Sequence, residues 1–190
     1  MPRRQGTWRG KRSNGGNLQE SYSTIREHGA VYRVPLRLLI GLPVAALLAQ
    51  SFLPTWLPIL HWLNLPLLII AWLGMTWRNP IAAMSAGTVI GIAQDSLAHL
   101  PLGINGIGGT LTAYVAASLG GRMDVDHPWI RFLLLWGLYW LNLTVWFSIE
   151  RYLMEAPIAW PGWSWMLASL ANSALGVMLF AVCDRFRSLR

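Results

Sequence analysis

The sequence predicts an all-α fold, a compact bundle of six transmembrane helices in a polytopic membrane protein. Two observations carry this prediction. Of the 190 residues, 54% are hydrophobic and only 12% are charged, about half the charged share of an average soluble domain. Six apolar stretches alternate with polar gaps, and fourteen of the fifteen Lys and Arg residues lie in alternate gaps or in the first turn of a span next to them. Because basic flanking segments stay on the cytoplasmic side of a membrane, both termini are predicted to be cytoplasmic.

The first 33 residues differ from the rest of the chain because they are rich in Arg, Gly, Ser and Asn. This composition predicts a disordered basic cytoplasmic tail, followed by a six-helix transmembrane domain over 34–190. The net charge of +7 is divided among membrane-flanking positions, which favours anionic lipid headgroups over nucleic acid as the counter-charge. The single cysteine, Cys183, excludes an internal disulfide.

The six spans follow from the apolar runs and from the residues that flank them. The third span is predicted to start at Pro80, since proline suits the first position of a helix. The fourth is predicted to end before Gly120 and Gly121, because glycine favours a helix C-terminus. The predicted limits are 36–53, 59–77, 80–97, 102–119, 128–149 and 163–183.

The third and fourth spans are poor in Leu and rich in small residues, which predicts that they are buried. Small residues recur at intervals of four on three helices and form what we call small-residue stripes. They are Ala83, Gly87, Gly91 and Asp95 in the third span, Gly109, Ala113 and Ala117 in the fourth, and Ser164, Ala168, Asn172 and Gly176 in the sixth. Such stripes let helix backbones approach closely, either within the bundle or against a helix of a partner protein.

Asp95 is the only acidic residue predicted inside a span. An ionisable group in a membrane needs a partner or a cavity, which makes it a functional candidate. The alternative is that its carboxylate caps backbone N–H groups of the turn 101–103. His99 lies one turn further on, but two ligands without a third do not indicate a metal site, and no metal or cofactor is expected. The chain has no nucleophile elbow, phosphate loop or HExxH pair, so we expect no enzyme activity.

A Gly-rich third span that ends in an Asp, a Pro-Leu-Gly turn, and a following helix with an aromatic residue near its end together form one hairpin. This pattern resembles the central hairpin of the rod shape-determining protein MreD family. The matching residues, in the stretch that begins at Gly87, are Gly91, Asp95, Pro101, Leu102, Gly103 and Tyr114. The length, the six spans and the basic end also look like this family over 34–190. The long basic tail and the twelve tryptophans depart from it.

The resemblance implies a non-enzymatic scaffold in the cytoplasmic (inner) membrane of a bacterium, within the cell-elongation complex that shapes the cell. It implies binding to the bitopic protein MreC and a link from MreB filaments to peptidoglycan synthesis by RodA and a class B penicillin-binding transpeptidase. One face of the third and fourth helices is expected to receive the single span of MreC.

The resemblance also implies a fold similar to the substrate-binding subunits of energy-coupling-factor vitamin transporters. Vitamin uptake is therefore the alternative function, and it predicts a polar pocket that opens to the outside. The polar side chains available for such a pocket in the sequence are Asn64, Asp95, His99 and Asn105. A cavity for lipid is a third possibility.

Overall fold

A computed structural model of the chain describes residues 36–56, 61–77, 79–123, 125, 127–154 and 162–185. Within these residues the protein is all-helical and contains no strand. The helices are α1 (Leu36–Trp56), α2 (Leu65–Trp77), α3 (Pro80–Leu97), α4 (Ile104–Gly120), α5 (Pro128–Tyr152) and α6 (Trp163–Arg185). The predicted basic tail, 1–33, lies outside the described residues.

Helix α3 begins and ends at the residues predicted from the sequence, 80 and 97. Asn79 acts as its N-cap, with the side-chain oxygen accepting hydrogen bonds from Ile81 N at 3.1 Å and Ala82 N at 3.4 Å. Pro80 follows at the first helical position, where its missing N–H leaves no hydrogen bond unmade. The local sequence therefore fixes where this helix begins.

The predicted start of the second span, residue 59, is wrong for the helix. Residues 61–62 form a short 3-10 turn, and α2 begins only at Leu65. Asn64 caps it, because its side-chain oxygen accepts a hydrogen bond from Leu67 N at 3.2 Å. With 13 residues, α2 is about 20 Å long, which is shorter than the ~30 Å hydrocarbon core of a bilayer.

Three helices, α1, α5 and α6, are long and apolar enough to cross a membrane, and α2 is a shorter apolar helix. This fits a membrane protein. The helices differ in how much of their surface is packed. Nearly all of α2 is buried, from Pro66 to Thr76, whereas α1 buries only Pro43, Ala46 and Leu47.

The most extensive contact between two helices of the bundle is that between α3 and α4. The next most extensive contact joins α2 to α4, and α5 packs against both α4 and α6. α1 lies at the edge, against α2 and α3. The bundle therefore has one end at which α1, α3 and α5 end and α2, α4 and α6 begin, which we call the open end. The opposite end is called the closed end.

Candidate functional site

The small-residue stripe of α3 packs directly onto α4. Ala83, Gly87, Gly91 and Asp95 are all buried. A Cβ atom added to Gly91 would lie 2.7 Å from the Cα of Gly106, and one added to Gly87 would lie 2.8 Å from the Cβ of Ala113. Real Cβ atoms do not approach other atoms so closely, so the two helices can pack this way only because both positions are glycine.

This packing decides between the two uses that the α3 stripe allows. The stripe is buried against α4, so it is not accessible to a partner helix. Of the two alternatives for this stripe, packing within the bundle is the one that the contacts at Gly87 and Gly91 support. Their physical role is to bring α3 and α4 into contact.

The carboxylate of Asp95 lies at the turn between the two helices and is fully buried. Its Oδ2 accepts hydrogen bonds from Gly103 N at 2.8 Å and Gly106 N at 3.4 Å, and its Oδ1 accepts from Asn105 N at 3.1 Å and Asn105 Nδ2 at 2.8 Å. Asp95 thus caps the first turn of α4 from the neighbouring helix. The capping alternative for Asp95 is the one that the contacts support.

This cap is needed because α4 has no side-chain cap of its own. The residue before α4 is Gly103, with φ of 108° and no side chain to accept the first N–H groups. Glycine adopts this left-handed conformation without strain. An acceptor at a helix N-terminus contributes about 1–2 kcal/mol, and its negative charge suits the positive end of the helix dipole.

The other hairpin residues of the predicted site lie on the surface. Pro101 and Leu102 are exposed in the turn, and Tyr114 is about half-exposed on the outer side of α4. The hairpin therefore divides into a packed interior, formed by Gly87, Gly91 and Asp95, and an exposed outer side that includes Tyr114.

A cavity of about 500 Å³ lies at the open end of the bundle. Its walls come from the end of α1, the residues before α2, the α3–α4 turn, the second half of α5 and the start of α6. Five amides line it, together with Ser51, His61 and Tyr139. The amides are Gln50, Asn64, Gln94, Asn105 and Asn142. Sequence analysis named two of these, Asn64 and Asn105, as polar groups available for a pocket.

The amides of the cavity are only partly used by the fold. The side-chain oxygen of Gln50 accepts a hydrogen bond from Leu65 N, and that of Asn64 accepts one from Leu67 N. The Nδ2 of Asn105 donates to Asp95 Oδ1. Gln94 and Asn142 make no side-chain hydrogen bond to any described residue. These two side chains therefore contribute donors and acceptors that the protein itself does not use.

Asn142 is the most informative residue of the cavity, because it is only 8% exposed. Gly108 of α4 makes room for it, since a Cβ atom at that position would lie 2.6 Å from Asn142 Nδ2. Its amide lines the cavity, where it makes no hydrogen bond to a described residue. Sequence reasoning missed it, although an amide in the middle of a strongly apolar span is itself a signal.

Three tryptophans form an aromatic wall of the cavity. The Trp62 and Trp165 rings meet edge to face, with centroids 5.3 Å apart, and the Trp146 and Trp165 centroids are 6.2 Å apart. The wall holds these rings in fixed orientations beside the amides. Each ring offers a flat apolar face and an N–H donor at its edge.

The closed end is held by a partly buried ion pair. Arg131 Nη2 lies 2.7 Å from Asp184 Oδ2, and Trp72 Nε1 donates to Asp184 Oδ1 at 3.2 Å. The Arg131 guanidinium lies 5.8 Å from the centre of the Phe180 ring and also donates to the Val125 carbonyl oxygen. These contacts join α2, α5 and α6 to the segment before α5.

Asp95 and His99 are the pair that the sequence offered as possible metal ligands. They differ in position, since Asp95 is buried and His99 is exposed. No group of three or more His, Cys, Asp or Glu side chains that could hold a metal ion is found among the described residues.

Comparisons with known proteins add no family assignment. No family model matches the chain, and no curated protein or solved structure matches it. Function is therefore inferred from the geometry of the hairpin and the cavity, together with the resemblance of the hairpin sequence.

Proposed function

We propose that the protein is a non-enzymatic membrane scaffold of the bacterial cell-elongation complex, similar to MreD, that binds MreC and helps couple MreB filaments to peptidoglycan synthesis. The observation that carries this proposal is the hairpin. The residues of the resemblance that lie inside it, Gly91, Asp95 and Gly103, meet in one packed and hydrogen-bonded unit.

In this proposal all six helices cross the cytoplasmic membrane, and both chain ends are cytoplasmic. The distribution of basic residues in the described helices supports the orientation. Arg37, Arg122, Arg131 and Arg185 lie at the closed end of the bundle, and Arg151 lies at the open end. Since basic residues favour the cytoplasmic side, the closed end faces the cytoplasm and the open end faces outward.

The surface proposed to receive MreC is the outer side of the α3–α4 hairpin, which we call the hairpin face. Its large apolar side chains are exposed, between 41% and 77%. They are Ile81, Val89, Ile92, Ile107, Leu111 and Tyr114. In a bilayer these side chains can contact either lipid or a single partner helix, and the rigid hairpin beneath them gives the partner a fixed surface.

Affinity purification from native membranes in mild detergent, followed by mass spectrometry, tests the proposal. We expect MreC to be retained, together with RodA or the class B transpeptidase. Loss of all three proteins under conditions that keep the bundle folded would contradict the scaffold function.

A pair of leucine variants tests the hairpin face itself. Leu111→Trp enlarges a side chain that is 41% exposed on the hairpin face, and Leu48→Trp makes the same change at a 48% exposed position on α1. We expect Leu111→Trp to reduce MreC recovery by about tenfold, because overpacking an interface costs about 1–3 kcal/mol. Leu48→Trp should leave recovery unchanged. Equal recovery with both variants would exclude this face.

A second function, the substrate-binding subunit of an energy-coupling-factor vitamin transporter, is favoured by one observation. That function predicts a polar pocket, and the cavity at the open end has five amides in its wall. Recovery of an ATPase module in place of MreC, in the same purification, would support uptake over the scaffold.

A further inference from the structure

The cavity at the open end contains more hydrogen-bonding capacity than the fold requires. Asn142 is more than nine-tenths buried and has no side-chain partner among the described residues. Gln94 also lines the cavity without a side-chain hydrogen bond to any described residue. Because both amides face the cavity, their donors and acceptors are available to a molecule that binds there.

The size of the cavity suits a small molecule. Its volume of about 500 Å³ falls within the ~300–1,000 Å³ of typical ligand pockets. It is open at the end of the bundle, so a ligand can enter without separation of the helices. A single ordered water would occupy only a small part of this space, since a water accounts for about 30 Å³.

The charges around the cavity indicate that the ligand is neutral. No Asp, Glu, Lys or Arg lines it within the described part of the chain. The carboxylate of Asp95, the residue after Gln94, has both oxygens occupied by the cap on α4. A charged ligand would lose its hydration there without gaining an opposite charge. Amides both donate and accept hydrogen bonds, so they suit hydroxyl and amide groups on a ligand.

The three tryptophans of the cavity wall also indicate the shape of the ligand. Trp62, Trp146 and Trp165 present flat apolar faces next to the amides. The ligand that matches both features is a ring with apolar faces and a rim of hydroxyl or amide groups. We propose that the open-end cavity, through Asn142, Gln94 and the tryptophan wall, binds a neutral saccharide ring.

This proposal rests on the cavity alone and depends on neither function proposed above. The saccharide can come from two sources, a free sugar or the sugar headgroup of a glycolipid. Both would present the same ring to the same amides. They differ in whether an attached alkyl chain, which would lie along the apolar surface of the bundle, is needed for binding.

Fluorescence titration of the full chain tests the proposal. The protein is prepared in a detergent without a sugar headgroup and transferred to phosphatidylcholine nanodiscs, so that no saccharide is present at the start. The probes are N-acetylglucosamine, its octyl glycoside, and octanol as the chain without the sugar. We expect a saturable change in tryptophan emission with N-acetylglucosamine, its octyl glycoside or both, because the wall contains three of the twelve tryptophans.

Two variants and one control identify the site. Asn142→Leu and Gln94→Leu each remove an amide that has no partner within the described protein, and each should raise the half-saturating concentration about five- to tenfold. The control is Thr144→Val, which removes a hydroxyl from the exposed side of the same helix. It should titrate like the unaltered chain. The use of two separate amide variants keeps the test valid if either one fails to fold.

Each outcome of the titration is informative. Saturation with the octyl glycoside but not with the free sugar assigns the site to a glycolipid headgroup, and saturation with both assigns it to a saccharide of either source. An equal response to octanol, or an unchanged half-saturating concentration in both amide variants, overturns the proposal. Absence of any saturable change with either saccharide overturns it as well.

Discussion

The two ends of the bundle differ in how their polar side chains are used. At the closed end, Asp184 pairs with Arg131 and also accepts a hydrogen bond from Trp72, so the polar groups satisfy one another. At the open end, Asn142 and Gln94 line a cavity and make no side-chain hydrogen bond to any described residue. Buried polarity therefore stabilises the bundle at one end and leaves binding capacity at the other.

The difference teaches that a polar residue within an apolar helix has to be judged by its partners. Asn142 and Asn172 are both buried amides. Asn172 accepts from Asn64 N at 2.8 Å and donates to Trp62 O at 2.8 Å and Ala168 O at 2.9 Å. It therefore joins α6 to the start of α2, whereas Asn142 faces the cavity.

The largest effect is expected where the hairpin supports the open end. Gly91→Leu places a side chain into the backbone of α4 at Gly106, and we expect it to lower the free energy of unfolding by at least about 4 kcal/mol or to prevent folding. Gly137→Leu on α5, where a Cβ atom would meet nothing within 4 Å, is the matched control. Thermal unfolding in detergent measures both. Similar midpoints for the two variants would contradict the packing described for α3 and α4.

The next largest effect is expected from a variant that removes the ion pair at the closed end. Arg131→Met removes the guanidinium that pairs with Asp184, donates to the Val125 carbonyl oxygen and lies over the Phe180 ring, and we expect a loss of about 3 kcal/mol. Cys183, the only cysteine of the chain, is buried next to Asp184. Its rate of reaction with a thiol-specific dye should rise in the variant as the closed end opens more often.

The double variant Arg131→Met with Asp184→Asn is the control for charge. The amide keeps an oxygen that can accept from Trp72, and the carboxylate charge is removed together with the guanidinium charge. It should therefore regain about half of the lost stability. If the single and double variants are equally unstable, the ion pair contributes little to the free energy of unfolding, and side-chain packing accounts for the stability of the closed end.

A smaller effect is expected at the cap of α4. Asp95→Asn replaces one accepting oxygen by an NH₂ group that faces backbone donors, and we expect a loss of about 2 kcal/mol. The measurement is thermal unfolding together with circular dichroism of the helical signal. Asp95→Glu, which keeps the charge but lengthens the side chain, separates the geometry of the cap from its charge. A neutral Asp95→Asn change would exclude the cap as a source of stability.

The smallest effect is expected at the cavity. Asn142→Leu removes an amide that has no partner within the described protein, so stability should change by less than about 0.5 kcal/mol or rise slightly. Asn172→Leu should cost about 3 kcal/mol, because three hydrogen bonds that tie α6 to the residues before α2 and to its own preceding turn are lost. Comparison of the two unfolding midpoints checks this. Equal losses would mean that Asn142 is also a structural residue.

Much of the fold was predictable because its signals are local. The Asn79-Pro80 pair sets the start of α3, and Gly87 and Gly91 on one helical stripe predicted close packing. The late start of α2 was not predicted, since the apolar residues before Asn64 look continuous with the helix in sequence.

The polar contacts of the site were predicted unevenly for a similar reason. The cap by Asp95 joins residues that are 8 to 11 positions apart, and the sequence suggested it as one alternative. The contact of Trp72 with Asp184 spans 112 positions, and nothing in the local pattern pairs them. The cavity likewise depends on how five separate segments meet, which periodicity alone does not specify.

The separation of these contacts along the chain also sets an order of assembly during synthesis. The Asp95 cap can form as soon as α4 has been made, because its partners are near neighbours and the loop between them is short. The contacts of Asn64 with Asn172 and of Trp72 with Asp184 must wait for α6, the last helix of the bundle. A nascent chain in which α6 has not yet been synthesised can therefore contain a packed α3–α4 hairpin, while its closed end still lacks the contact between Trp72 and Asp184.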